Sequence, residues 1–172
     1  MKVAVIAGHT AINPGNDFRD EEHRICRAVA EEVEELLDQA GVDLLVPQSL
    51  DALYAMDNDD GLNAKVHLVN QAQVDLAVEL HLNGGAGDYS SVLHHPRSAL
   101  GSQAASYIGR MYQYSFKWAA HGGVPETRYG RGGLAFLHQT AMPAVICEPG
   151  FLDNDNHQWQ SPVAQQIYAM AS

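Results

Sequence analysis

The sequence predicts an α/β protein of three layers, in which a largely parallel, twisted sheet of about six strands is flanked by helices. Three observations carry that expectation. Short apolar runs rich in β-branched residues alternate along the chain with segments of helical periodicity. Glycine and proline punctuate the boundaries between them. One run, Asp75 to Leu82, places Leu76, Val78, Leu80 and Leu82 on one face and Asp75, Ala77, Glu79 and His81 on the other, which is the period of a strand. The 172 residues fit one domain, 1–172, long enough to bury a core without disulfide staples.

The first strand, Val3 to Ala7, ends at Gly8 and opens into a polar loop carrying the turn formers Asn13, Pro14, Gly15 and Asn16. From Glu21 to Ala40, Ile25, Ala28, Val29, Val33, Leu36, Leu37 and Ala40 recur at intervals of three and four with acids between them. This predicts a helix with Asp20 as its N-cap and Gly41 as its stop. Val42 to Val46 is a second strand ended by Pro47, and Leu62 to Ala72 has helical spacing through Leu62, Val66 and Val69. After the Asp75 run, a short strand from Ser91 to His95 ends at Pro96, and Ser98 to Trp118 predicts a long helix. A glycine-rich loop from Gly122 to Gly133 precedes two more strands, Leu134 to His138 and Ala144 to Glu148, and a last helix begins near Asn156.

Charge excludes several partners. Ten basic against 21 acidic side chains leave a net charge of −11 with no basic patch, which argues against nucleic acid and against an anionic membrane surface. No apolar run approaches the ~20 residues of a membrane-crossing helix. The opening, MKVAVIAGHTAINPG, reads as a first strand rather than a signal peptide. Cys26 and Cys147 stand in no CxxC spacing, so neither a disulfide framework nor a Cys-rich zinc finger is indicated, and both read as buried thiols.

Ligands of parallel α/β sheets sit at the carboxyl ends of the strands. His9 follows the first strand, His81 lies near the end of the Asp75 run and Glu148 closes the Ala144 run, so neighbouring parallel strands bring all three into one crevice. Glu22 adds a fourth group, because it precedes Ile25, Val29, Val33 and Leu36 by 3, 7, 11 and 14 residues and so lies on the inward stripe of the first helical turn. A buried carboxylate needs a partner, and a metal supplies one. Two imidazoles and a carboxylate form a common catalytic zinc shell with an open fourth position. Water whose pKa is lowered toward ~7 by the ion is a nucleophile at neutral pH, and Glu148, beside it but unligated, takes its proton and returns it to a leaving nitrogen. The reaction class is metal-assisted hydrolysis of an amide. Taken singly, each residue has a plain structural role, such as Glu22 facing the helix dipole. Their joint placement is what points to chemistry.

Four motifs extend this over almost the whole chain. VAVIAGHTAINPG is a strand followed by Gly-His and a Pro-Gly turn, and EEHRICRAVAEEVEELLDQAG sets an acid about five turns before the glycine that ends the helix. LNAKVHLVNQAQVDLAVELHLN ends in a His-x-Asn triplet, and PAVICEPGFLDN carries Glu-x-Gly-Phe-x-x-Asn. In this order they resemble the zinc-dependent N-acetylmuramoyl-L-alanine amidases of the amidase 3 family, which hydrolyse bacterial peptidoglycan. The resemblance implies one Zn²⁺ held by His9, Glu22 and His81, with Glu148 as the catalytic carboxylate. It further implies peptidoglycan as the partner and the amide between N-acetylmuramic acid and L-alanine as the bond cleaved. Counting back from Gly41 selects Glu22 over Glu21, in agreement with the helix face.

Two departures from that pattern stand out. Lys65 occupies a position where the family often has Arg, keeping a positive charge without bidentate geometry. Glu79 stands where many members have Ser, on the same strand face as His81; it reads as a paired structural acid, with tuning of His81 or competition with Glu148 as the alternatives. Asn83 is a candidate for orienting substrate, and Arg128 and Arg131, among glycines, for gripping stem-peptide carboxylates. His94 and His95 read as strand-end residues, and His138 and His157 as structural ones. Two other classes stay open: a zinc carboxypeptidase-like hydrolase and a non-catalytic wall-binding module, the latter disfavoured because all four chemical residues are present. Without an export signal the chain reads as a phage-type lysin made in the cytoplasm, or as a domain excised from a secreted protein, acting on the bacterial cell wall. A monomer is favoured, with a site open without an activator.

Overall fold

The computed structural model describes residues 1–12, 21–45, 58–85, 87–116, 119–127, 133–153, 159 and 162–172. In chain order the elements are β1 (Lys2–Ala7), α1 (Glu21–Gln39), β2 (Asp43–Leu45), α2 (Asn58–Ala72), β3 (Leu76–Leu80), β4 (Tyr89–His94), α3 (Ala99–Phe116), β5 (Ala119–Pro125), α4 (Ala135–Gln139), β6 (Ala144–Glu148) and α5 (Pro162–Ala171). The six strands form one sheet in the order β2-β1-β3-β6-β4-β5. β2, β1, β3 and β6 run parallel, β4 pairs antiparallel with β6, and β5 runs parallel with β4. The sheet is thus a parallel block carrying a reversed two-strand edge.

Strand alternation divides the core into two layers. Val3, Val5, Val78, Leu80, Val92, Val145 and Cys147 face α1, α3 and α5. Ala4, Ile6, Ala77, Leu93, Ala144 and Ile146 face α2 and α4. The predicted three-layer architecture is the one observed. On α1 the buried residues Ile25, Val29 and Val33 sit four apart, as an inward stripe demands. The helix stops as expected: Gly41 adopts φ 68°, Val42 N–H donates to Leu37 O at 3.0 Å and Gly41 N–H to Asp38 O at 2.9 Å, a Schellman closure. Ser98 caps α3, its hydroxyl accepting Gly101 N–H at 3.0 Å. Both cysteines are free and buried, and burial pushes the Cys147 thiol up to about 12. No helix among the described residues is long and apolar enough to cross a membrane.

Two expectations are corrected. Residues 119–125, predicted from Gly122 onward as glycine-rich loop, form β5, and Leu134 to His138, predicted as a strand, lies at helix α4. The first miss follows from close approach. A Cβ on Gly122 would overlap the Gly109 backbone of α3, and Gly123, at φ 71°, sits where the β4–β5 register shifts. These glycines are requirements of a strand pressed against a helix and bulged, rather than signs of a loop. In the second case, the adjacent residues Phe136 and Leu137 both face the same core layer, which a period-two strand cannot achieve. A short apolar run does not distinguish the two states by pattern. Asp20, the Asn13–Asn16 turn, Pro47, Trp118 and Asn156 lie outside the described residues.

Candidate active site

β1, β3 and β6 end on the same edge of the sheet because they are parallel neighbours. Gly8 extends β1 by donating its N–H to Leu80 O at 2.7 Å, and a Cβ there would overlap the His81 ring. His9 then turns back over that ring: it adopts φ 56°, a left-handed conformation unusual for a residue with a Cβ, and the two imidazoles meet edge to face with centroids 4.7 Å apart. The Gly8 carbonyl is in contact with His23 Nδ1 at 3.0 Å. From the other side of the crevice, the first turn of α1 delivers Glu22, which is 2% exposed.

Glu22 Oε1 is the hub. It lies 3.2 Å from His9 Nε2 and 3.1 Å from His81 Nδ1, and it accepts the Leu82 N–H at 3.0 Å. One donor atom from each of His9, Glu22 and His81 lies within 4.8 Å of the others, and among the described residues this is the one such group able to hold a metal ion. The three predicted ligands are therefore brought together. Burial alone would raise the Glu22 carboxyl, but the hydrogen bonds from His81 and His9 hold it well below the usual carboxylate range. For His81, burial works against protonation, yet contact with Glu22 and Glu79 raises its imidazole to about 10.

Glu148, the last residue of β6, lines the same crevice as His9, Glu22 and His81. Its Oε2 accepts from the Ser91 hydroxyl at 2.6 Å and from Asn83 Nδ2 at 3.2 Å. Burial raises its carboxyl above the ordinary value, with the Ser91 hydrogen bond and the charge of His81 pulling the other way. Asn83 is itself fixed by backbone bonds, its N–H to Gly150 O at 2.8 Å and its carbonyl from Leu152 N–H at 3.0 Å. Tyr168 of α5 braces the edge from below, its hydroxyl lying 3.1 Å from His81 O and 3.0 Å from Cys147 O.

Beyond Glu148 a cavity of about 540 Å³ runs along the β4–β5 edge, lined by Asn83, Tyr89, Ser91, Leu93, His121, Val124, Pro125, Glu126, Thr127 and Glu148. Tyr89 forms an aromatic wall with His121 and Phe151, at centroid distances of 4.8 and 4.9 Å. Sequence reasoning missed Ser91, Tyr89 and His121. Ser91 faces Glu148 only because β4 is antiparallel to β6, pairing these two residues directly, and nothing in a single strand encodes the direction of its partner. Arg128, Arg131 and His157 lie outside the described residues. His94 is buried, its Nε2 3.2 Å from Gly123 O, and His138 Nε2 is 2.9 Å from Glu126 Oε2.

A buried Glu between two half-buried His, beside a desolvated carboxylate on the strand-end edge of an α/β sheet, is the arrangement of a metal-competent hydrolase. The model of the N-acetylmuramoyl-L-alanine amidase family matches residues 3–171, and the chain belongs to that family. It is therefore a peptidoglycan amidase, a hydrolase acting on the bacterial cell wall. Among solved structures, an N-acetylmuramoyl-L-alanine amidase from Clostridium difficile 630 is 18% identical with a TM-score of 0.81, the match covering 99% of this chain and 91% of that one. The catalytic domain of the CD27L endolysin targeting Clostridia difficile is 22% identical, with a TM-score of 0.79 and 99% and 93% coverage. The CwlD amidase from Clostridioides difficile, solved in complex with the GerS lipoprotein, is 19% identical with a TM-score of 0.84 and the same coverage. At these identities the structures establish the shared fold. Comparison with curated proteins found no match.

Proposed function

We propose that residues 1–172 form one catalytic domain in which His9, Glu22 and His81 hold a single zinc ion and Glu148 moves the proton during cleavage of the amide between N-acetylmuramic acid and L-alanine. The observation that carries this reading is the convergence of three donor atoms within 4.8 Å beside a carboxylate whose own partners, Ser91 and Asn83, leave it facing the same crevice. The donor set fits zinc: two imidazole nitrogens and one carboxylate oxygen. Held by these three residues, zinc would supply Lewis-acid polarisation of the amide carbonyl and a water of pKa lowered toward about 7.

The chain's own residues do the rest. The Glu148 carboxylate, anchored through Oε2 by Ser91 and Asn83, takes a proton from the attacking water and delivers it to the alanine nitrogen; the lactyl carbon gains an oxygen as its C–N bond breaks. A carboxyl raised by burial serves both halves of that transfer, since a base nearer neutrality in pKa is also the better acid for the leaving amine. Ser91 and Asn83 fix the carboxylate's orientation. The cavity along β4 and β5 seats the muropeptide, with Tyr89 and Leu93 as its apolar wall, and Arg128 and Arg131 are assigned to stem-peptide carboxylates. The domain works as a monomer, as a lysin or as part of a longer wall-acting protein.

The test combines zinc quantification with mass analysis of peptidoglycan digested by wild type and Glu148→Gln. One zinc per chain, free L-alanine amino termini from wild type and none from the variant are expected. Zinc-free active enzyme would overturn the metal assignment. Products cut within the stem peptide would instead indicate a carboxypeptidase-like reaction.

A further inference from the structure

Lys65 and Glu79 meet each other behind the His9, Glu22 and His81 donor cluster. Lys65 is 1% exposed on α2 and Glu79 3% exposed on β3. Lys65 Nζ donates to Ala7 O at 2.8 Å and to His9 O at 2.7 Å, and it lies 3.9 Å from Glu79 Oε1. The other carboxylate oxygen of Glu79 lies 3.4 Å from His81 Nε2. One buried ion pair thus touches the backbone of one imidazole-bearing residue and the ring of the other.

The ring chemistry of His81 gives this contact a direction. Its Nδ1 faces Glu22, inside the donor cluster, and its Nε2 faces Glu79 on the opposite side of the ring. A histidine that gives the Nδ1 lone pair to an ion carries its single proton on Nε2. That proton then meets Glu79. The same geometry sets Glu79 apart from both the donor cluster and Glu148. Glu79 is not in the group of converging donors. It lines a cavity of about 180 Å³ with Lys65 and Phe136, which adjoins the Glu148 crevice across His9 and His81 without including Glu148.

Stability alone does not account for the pair, since buried ion pairs are often replaced by apolar groups without loss. We propose that Lys65 and Glu79 are positioning residues for the metal centre: Glu79 accepts the His81 Nε2–H and so presents Nδ1 to the ion, while Lys65 neutralises Glu79 and clamps the left-handed backbone of His9 through its carbonyl. This rests on the zinc reading above.

The test uses the full chain and zinc itself. In ¹⁵N-imidazole NMR of the zinc-loaded protein, His81 is expected as the Nε2–H form, and a proton on Nδ1 instead would overturn the proposal without any variant. By competition with a chromophoric chelator, Glu79→Gln is expected to bind zinc about 10-fold or more weakly. Because Lys65 left alone could disturb folding, the double variant Lys65→Met/Glu79→Gln removes both charges; it should keep its circular dichroism and show a loss at least as large. Wild-type affinity in the folded double variant overturns the positioning role alone. Failure of the wild type to bind zinc overturns the metal assignment itself.

Discussion

The two halves of the sheet do different work. In the parallel block the functional groups are mutually locked around a buried acid, with Glu22 Oε1 in contact with two imidazoles and a backbone amide. The reversed β4–β5 edge instead offers a long cavity with a wall of Tyr89, Leu93 and His121, which meets the locked set at Glu148 through Ser91 and Asn83. Groups that must be held to fractions of an ångström sit where three parallel strands and a helix terminus converge. The open cavity lies where the sheet's direction changes.

If that division holds, substitutions in the two halves must separate cleanly. The largest effect is expected from Glu22→Ala, which removes the hub: zinc content falls to background, and with it several kcal/mol of transition-state stabilisation, about 10³-fold or more in turnover. Residual zinc at one per chain would show that Glu22 is not a ligand. Next is Glu148→Gln, for which kcat should drop by about 10² to 10⁴ while bound zinc is unchanged. On the open edge, Tyr89→Ala should raise KM by about 10-fold with kcat and zinc preserved, the mark of lost uniform binding. An equal fall in kcat would place Tyr89 in the locked half.

The subtlest test lies at the junction. Ser91→Ala removes a hydrogen bond that favours the ionised Glu148, so its carboxyl rises further above the ordinary value. The general base must be ionised to accept a proton, so activity is lost as pH falls through that pKa. The acid limb of kcat/KM should therefore move to higher pH, with the alkaline plateau little changed. An acid limb that stays in place would remove Ser91 from the control of Glu148.

How far the sequence reached follows the same division. His9, Glu22, His81 and Glu148 were legible because each obeys a local rule, either a strand end or a position on a helical stripe, and parallel pairing needs no further information to bring strand ends together. Asn83 was visible as a neighbour of His81, but its partner, Glu148, was not. The reversed edge was illegible for reasons of the same kind throughout. Ser91 depends on strand direction. β5 was concealed by Gly122 and Gly123, whose function is to let α3 approach and the strand bulge. The apolar run before Gln139 fits a strand or a helix equally well until its two adjacent buried residues are seen to share a layer.

One consequence of the first site turn concerns how such an enzyme changes over time. His9 holds φ 56°, a region costing of order 1–3 kcal/mol for a residue with a side chain and almost nothing for glycine. The most stabilising replacement at this position is thus one that deletes a donor atom of the cluster. A lineage released from selection for hydrolysis has an easy path to a sturdier, inactive scaffold at this residue, and a stability-guided redesign that ignores chemistry would take the same path. Thermal resistance and activity are set against each other at a single backbone angle.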